Sequence, residues 1–141
     1  VTKGVKIAEK ALLPKAVISF IRTHHGRGKA KYFYNSFKNQ YPDKPINDEL
    51  FTYPGPNPFS KETAVLMMAD SVEAASRSLK EHTEESISAL VNKIIDGQIA
   101  DGLLKSAPLT FKDVETIKSV FVDKLKTMFH TRISYPDLKK Q

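Results

Sequence analysis

The segment from Ser60 to Leu79 constrains this chain most. Val65, Met68, Val72, Ala75 and Leu79 recur at helical spacing on one side, and Leu66, Met67 and Ala74 occupy the other. A helix apolar around most of its circumference has no solvent face, so it must be central and covered by other helices. Ser60 is a good N-cap and Glu62 falls in the first turn, where a negative charge is favoured. Within this helix stands Asp70, on one line with Glu73 and Arg77 at spacings of three and four. A carboxylate in a buried helix needs compensating positive charge, from Arg77 or from a bound cation.

The other segments supply the cover. Val5, Ala8 and Leu12 read as a helix reaching Leu13, and Pro14 suits the first position of a second. In that second helix Val17, Ile21 and His24 lie on one row and Ile18, Ile21 and His25 on the next, so both histidines border the apolar face. Gly26 fits the left-handed position that ends a helix. Lys29 to Gln40 alternates basic and aromatic residues and reads as a short helix. Residues 42–60 carry five prolines and a glycine and form a long irregular loop, whose Phe51, Tyr53 and Phe59 argue that it packs on the body. Thr83 caps a helix with core stripe Ile87, Leu90, Val91 and Ile94 that stops near Asp101-Gly102. Thr110 to Asp113 is a capping-box start for a last helix with Val114, Ile117, Phe121, Leu125 and Met128 inward. No alternating strand pattern appears. The expected class is all-α, a helical bundle of five or six helices in a single domain over 1–141, with 137–141 a frayed tail.

Composition narrows the functions. With 141 residues, 40% of them apolar, the chain can bury a real core. The absence of cysteine excludes disulfides and thiolate zinc sites. No apolar run approaches the roughly 20 residues of a membrane span. The chain opens on Val1 inside a helical pattern rather than on methionine, the mark of a piece of something longer. The net charge of +6 is partly local, with Arg22, Arg27, Lys29, Lys31, Lys38 and Lys44 opposed only by Asp43. Such a segment is either a solvated face or a surface for anions: nucleotide phosphate, nucleic acid or membrane.

His24, His25 and Asp70 carry the chemistry. Imidazole and carboxylate together suit zinc, iron or manganese. Adjacent histidines on a regular helix point about 100° apart and converge only where the helix ends, as Gly26 makes it do. Against this stand satisfied, partly buried histidines and an internal Asp70–Arg77 pair. His82 and His130 sit among charged residues and read as solvated, and Met67-Met68 as core. There is no phosphate-binding glycine loop, no nucleophilic triad and no zinc-finger spacing.

Four blocks in order, His24-His25-Gly26, Lys31-Tyr32-Phe33-Tyr34, Tyr53-Pro54-Gly55-Pro56-Asn57-Pro58 and Met68 to Arg77, resemble the HD-domain phosphohydrolases over essentially the whole chain. The nearest branch is the cytoplasmic catalytic domain of the bacterial seven-transmembrane receptor HD hydrolases. The resemblance implies hydrolysis of cyclic di-AMP to the linear dinucleotide at two divalent transition metals, iron or manganese. It assigns His24 and His25 to one ion and Asp70 to the other. The family's first His, its His-Asp pair and its third His have no counterpart here, the third falling just before Val1. The chain therefore looks like the C-terminal part of an HD domain and is expected to be inactive alone. Arg77 and Arg27, the latter where relatives often have a small hydroxyl residue, are the substrate-binding candidates. The resemblance also implies a membrane-integral parent with this part on the cytoplasmic side of the bacterial inner membrane. Pairing of two chains would be one way to cover apolar surface left open by missing helices. The competing readings are a cyclic-dinucleotide sensor without catalysis and a basic nucleic-acid-binding domain. The second lacks any recognition-helix motif, so nucleic acid is not an expected partner.

Overall fold

A computed structural model describes residues 1–130; the expected tail at 137–141 lies outside the described residues. Six helices follow in order: α1 Thr2–Lys10, α2 Lys15–Thr23, α3 Lys31–Gln40, α4 Lys61–Ser76, α5 Glu84–Ala100 and α6 Phe111–His130. A 3-10 turn at Asp48–Phe51 lies in the connection between α3 and α4. No strand occurs among the described residues.

Helix α4 is the hub. It packs on α5 and α6, which pack on each other, while α2 lies along a further side of α4 and carries α1 on its back. Ala64, Met67, Met68 and Val72 of α4 meet Ile87, Val91 and Ile95 of α5, with Leu104 and Leu125 closing the cluster. Ile95, absent from the expected stripe, is fully buried, while Leu90 is only half-buried. The helix is also less uniformly covered than its composition suggests. Leu66 remains 40% exposed, because the α2 side of α4 is only partly roofed.

The starts of these helices follow from local chemistry. The Ser60 hydroxyl accepts from Thr63 N–H at 3.1 Å, and Thr63 Oγ1 accepts from Ser60 N–H at 3.1 Å. Thr83 with Ser86 and Thr110 with Asp113 make the same reciprocal pattern, each satisfying amides that the helix itself leaves orphaned. The ends differ from expectation by a few residues. Helix α1 stops at Lys10, α4 stops at Ser76 rather than Leu79, and Pro14 is the N-cap of α2 rather than its first residue. His82 is not simply solvated: its ring stacks on Phe129 at 3.6 Å and bonds Ser76 O at 3.1 Å.

Because Ile95 has no exposed surface and Leu66 has a good deal, the two predict different costs on truncation. Ile95→Ala should lower unfolding free energy by about 2–5 kcal/mol in chemical denaturation. Leu66→Ala should lower it by much less, and equal losses would contradict the packing described.

Candidate metal centre

His24 and His25 sit where α2 runs out. His24 is the C-cap residue, Gly26 N–H donates to Thr23 O at 2.9 Å, and Gly26 takes a φ of +52°. The turn frees the two rings from helical geometry, and their centroids stand 4.0 Å apart at 39°. His24 Nδ1 lies 2.7 Å from Ile21 O. A carbonyl only accepts, so Nδ1 carries the proton and Nε2 keeps its lone pair. His25 is shifted below the ordinary histidine value, chiefly by burial, then by the neighbouring His24. Asp70 pulls the other way, but the imidazole stays the favoured form.

Asp70 reaches this turn from α4. Its Oδ2 is 4.0 Å from His25 Nδ1, a gap too long for a hydrogen bond. Of the three residues singled out from sequence, His24 thus adjoins His25 and His25 approaches Asp70, away from the middle of the bundle and without closing into a three-ligand cluster among the described residues. The Asp70 side chain is 48% exposed, which corrects the expectation of a buried acid in need of a counter-charge. Residue 70 lies on the partly roofed side of α4 beside Leu66, in a shallow trough with Val17, Phe20 and Ile21, so water solvates it. Nor is Arg77 its partner. Arg77 forks onto Glu73, Nε–Oε1 2.9 Å and NH2–Oε2 2.6 Å, and this raises its pKa.

Arg27, the other arginine singled out, points into the loop. Its guanidinium bonds both Glu49 oxygens at 3.2 Å and its backbone N–H donates to Asn57 Oδ1 at 2.7 Å. The loop is tied to the same turn by Ala30 N–H to Phe51 O at 2.7 Å and Tyr53 N–H to Gly28 O at 2.9 Å. As a result Tyr53 stacks on His25, centroids 4.3 Å apart at 22°. On the other flank of the histidines a cleft of about 570 Å³ opens, walled by Tyr53, Lys31 and Lys93 and floored by Ser71 and Gln98. Gln98 Nε2 donates to Ser71 Oγ at 2.9 Å, while its buried Oε1 has no hydrogen-bond partner among the described residues. Sequence reasoning missed Tyr53, Asn57, Ser71 and Gln98 as site residues. The resemblance blocks contain the first three without singling them out, and nothing pointed to Gln98.

An imidazole pair beside a carboxylate fits a divalent transition metal in kind. It does not suffice in number, since no group of three or more metal-ligating side chains converges among the described residues.

No protein-family profile matches the chain. The helical frame is that of an HD domain. Over 90% of the chain it matches the crystal structure of the L. monocytogenes phosphodiesterase PgpH HD domain in complex with cyclic-di-AMP, with a TM-score of 0.84 and 31% identity, and it covers 58% of that chain. In sequence it is 39% identical over 140 residues to the cyclic-di-AMP phosphodiesterase PgpH of Bacillus subtilis. It is 38% identical over 139 residues to an uncharacterized protein of Synechocystis. The chain spans 19% and 17% of the lengths of these two relatives. The expectations of an all-α fold and of kinship with HD-domain hydrolases both hold.

Since burial and His24 depress His25 while Asp70 supports it, metal-free NMR titration should place the His25 midpoint below 6.5. Asp70→Asn should lower it further. With the folded value below the unfolded one, His25 favours the folded state above about pH 6.5, and that contribution fades as pH falls. A midpoint above 6.5 would contradict this account.

Proposed function

We propose that this chain is part of a metal-dependent phosphodiesterase that hydrolyses cyclic di-AMP to the linear dinucleotide. The supporting observation is the meeting of His24, His25 and Asp70 from two helices, His25 and Asp70 at 4.0 Å, within a fold shared with the PgpH HD domain. By the family resemblance His24 and His25 hold one divalent ion, iron or manganese, and Asp70 the other, with further ligands supplied outside these residues. When bound, such a pair lowers the pKa of a water and takes up charge on the phosphate oxygens.

The chain's own groups prepare that chemistry. His24 keeps Nε2 available through its Nδ1 bond to Ile21, and the depressed pKa keeps His25 neutral at physiological pH. Asp70 supplies a carboxylate without an ion pair to Arg77 competing for it. Lys31 and Lys93 on the cleft wall offset the substrate's two negative charges, and Tyr32 offers an aromatic face for a base. Arg77, held by Glu73 one turn beyond Asp70, is the remaining arginine candidate for a phosphate. Arg27 serves better as a fixture of the loop than as a substrate contact.

We take residues 1–141 as one unit of the HD domain, inactive without the rest. Among the described residues no helix is long and apolar enough to cross a membrane. By the family resemblance the parent would sit in the bacterial inner membrane with this part on its cytoplasmic side. Ile7 on α1, Leu12 and Leu13 in the turn that follows, and Val17 on α2 stay exposed, and either other segments of the parent or a second chain would cover them. The competing reading is a sensor that binds cyclic di-AMP without cleaving it.

In the full-length protein supplied with manganese, Asp70→Ala should cut cyclic di-AMP turnover at least about 100-fold and lower metal occupancy. The 141-residue chain alone should show no comparable turnover. Normal turnover with unchanged metal content in the variant would remove Asp70 from the ligand set. Binding of cyclic di-AMP without any cleavage by the full-length protein would favour the sensor.

A further inference from the structure

Tyr53 is far from the histidine pair in sequence and belongs to the long connection between α3 and α4. Its ring nonetheless lies nearly parallel to that of His25, at 4.3 Å and 22°. An imidazole on its own turns freely between broad χ2 positions. Here His25 has Tyr53 in stacking contact and the His24 ring at 4.0 Å, and the orientation so held turns Nδ1 toward Asp70.

The tyrosine is itself held to the turn it acts on. Its N–H donates to Gly28 O at 2.9 Å, and the residue before it, Thr52, pairs antiparallel with Lys29. Further along the loop, Asn57 Oδ1 accepts the Arg27 N–H at 2.7 Å. A Cβ at Gly26 would stand 2.7 Å from that same oxygen, so the close approach needs glycine there as well as the positive φ. Two sets of bonds, one before Tyr53 and one after, fix it to residues 26–29, directly after the histidines. Neither residue is core: both Tyr53 and His25 are half-buried. The stack therefore orders two rings that packing alone would leave loose.

We infer that Tyr53 is a positioning residue, whose ring sets the His25 imidazole for metal binding. This rests on the metal-dependent reading given above. The test uses the full-length protein with Tyr53→Phe, Tyr53→Leu and Tyr53→Ala, and manganese as the probe in calorimetric titration. Tyr53→Leu and Tyr53→Ala should raise the manganese Kd about tenfold, as loss of an orienting partner does elsewhere. Tyr53→Phe should stay within about twofold, because the plate and not the hydroxyl does the positioning. Saturating manganese should restore most of the kcat lost in Tyr53→Leu with little change in KM for cyclic di-AMP. Should Tyr53→Ala fail to fold, Tyr53→Leu, which keeps apolar bulk, decides. An unchanged manganese Kd in Tyr53→Leu would overturn the inference alone, as would a Phe variant as weak as the Leu variant, or a raised KM that manganese does not correct. A wild-type protein that binds no manganese would overturn the metal-dependent reading itself.

Discussion

The structure depends on covering α4. Met67 and Met68 expose essentially nothing, and Val72 only 2%, so this helix is stable only while α5 and α6 hold one half of it and α2 part of the other. Burial of apolar area at about 25 cal/mol per Å² rewards that arrangement over any open one. The asymmetry of the cover then decides where chemistry can occur. Where Met67, Met68 and Val72 face α5 and α6 there is close packing; on the α2 side the roof is incomplete and Asp70 emerges beside the end of α2, while Lys93 and Gln98 of α5 line the cleft on the other flank of the histidines.

That end is a second point of constraint. A helix cannot aim two adjacent histidines at one place, so the chain stops the helix and turns at a glycine. The turn would be a loose feature by itself. It is instead bonded along its length to the connection between α3 and α4, through Ala30, Gly28 and Arg27. The Arg27–Glu49 and Lys29–Asp48 pairs add to this at the surface, where exposed ion pairs contribute little each. Backbone bonds and the glycine contact with Asn57 carry more of the geometry. The long proline-rich connection thereby lines the candidate site, where it stacks the Tyr53 ring on His25.

What the sequence disclosed and what it withheld divide by range. The caps at Ser60, Thr83 and Thr110 were legible because donor and acceptor lie three residues apart. The glycine-terminated α2, the all-α class and the histidine pair were legible for the same local reason. The resemblance of four short blocks carried the HD-domain expectation that composition alone could not. The burial of Asp70 was misjudged because an apolar circumference tells nothing of which sector a partner helix will leave open. Ile95 continues the row of Ile87 and Val91, four residues further on, and was passed over because the stripe was stopped one residue short, at Ile94. The Tyr53–His25 stack and the Gln98–Ser71 bond join segments remote in sequence, and no periodicity announces such contacts.

The central claim is that His24, His25 and Asp70 are donors to bound metal in an HD domain of which this chain is part. Anomalous scattering at the manganese edge, from crystals of the complete HD domain grown with manganese, addresses it most directly. The account predicts strong peaks within bonding distance of the histidine pair and of the Asp70 carboxylate. Peaks held wholly by other residues, with both histidines and Asp70 out of contact, would contradict it.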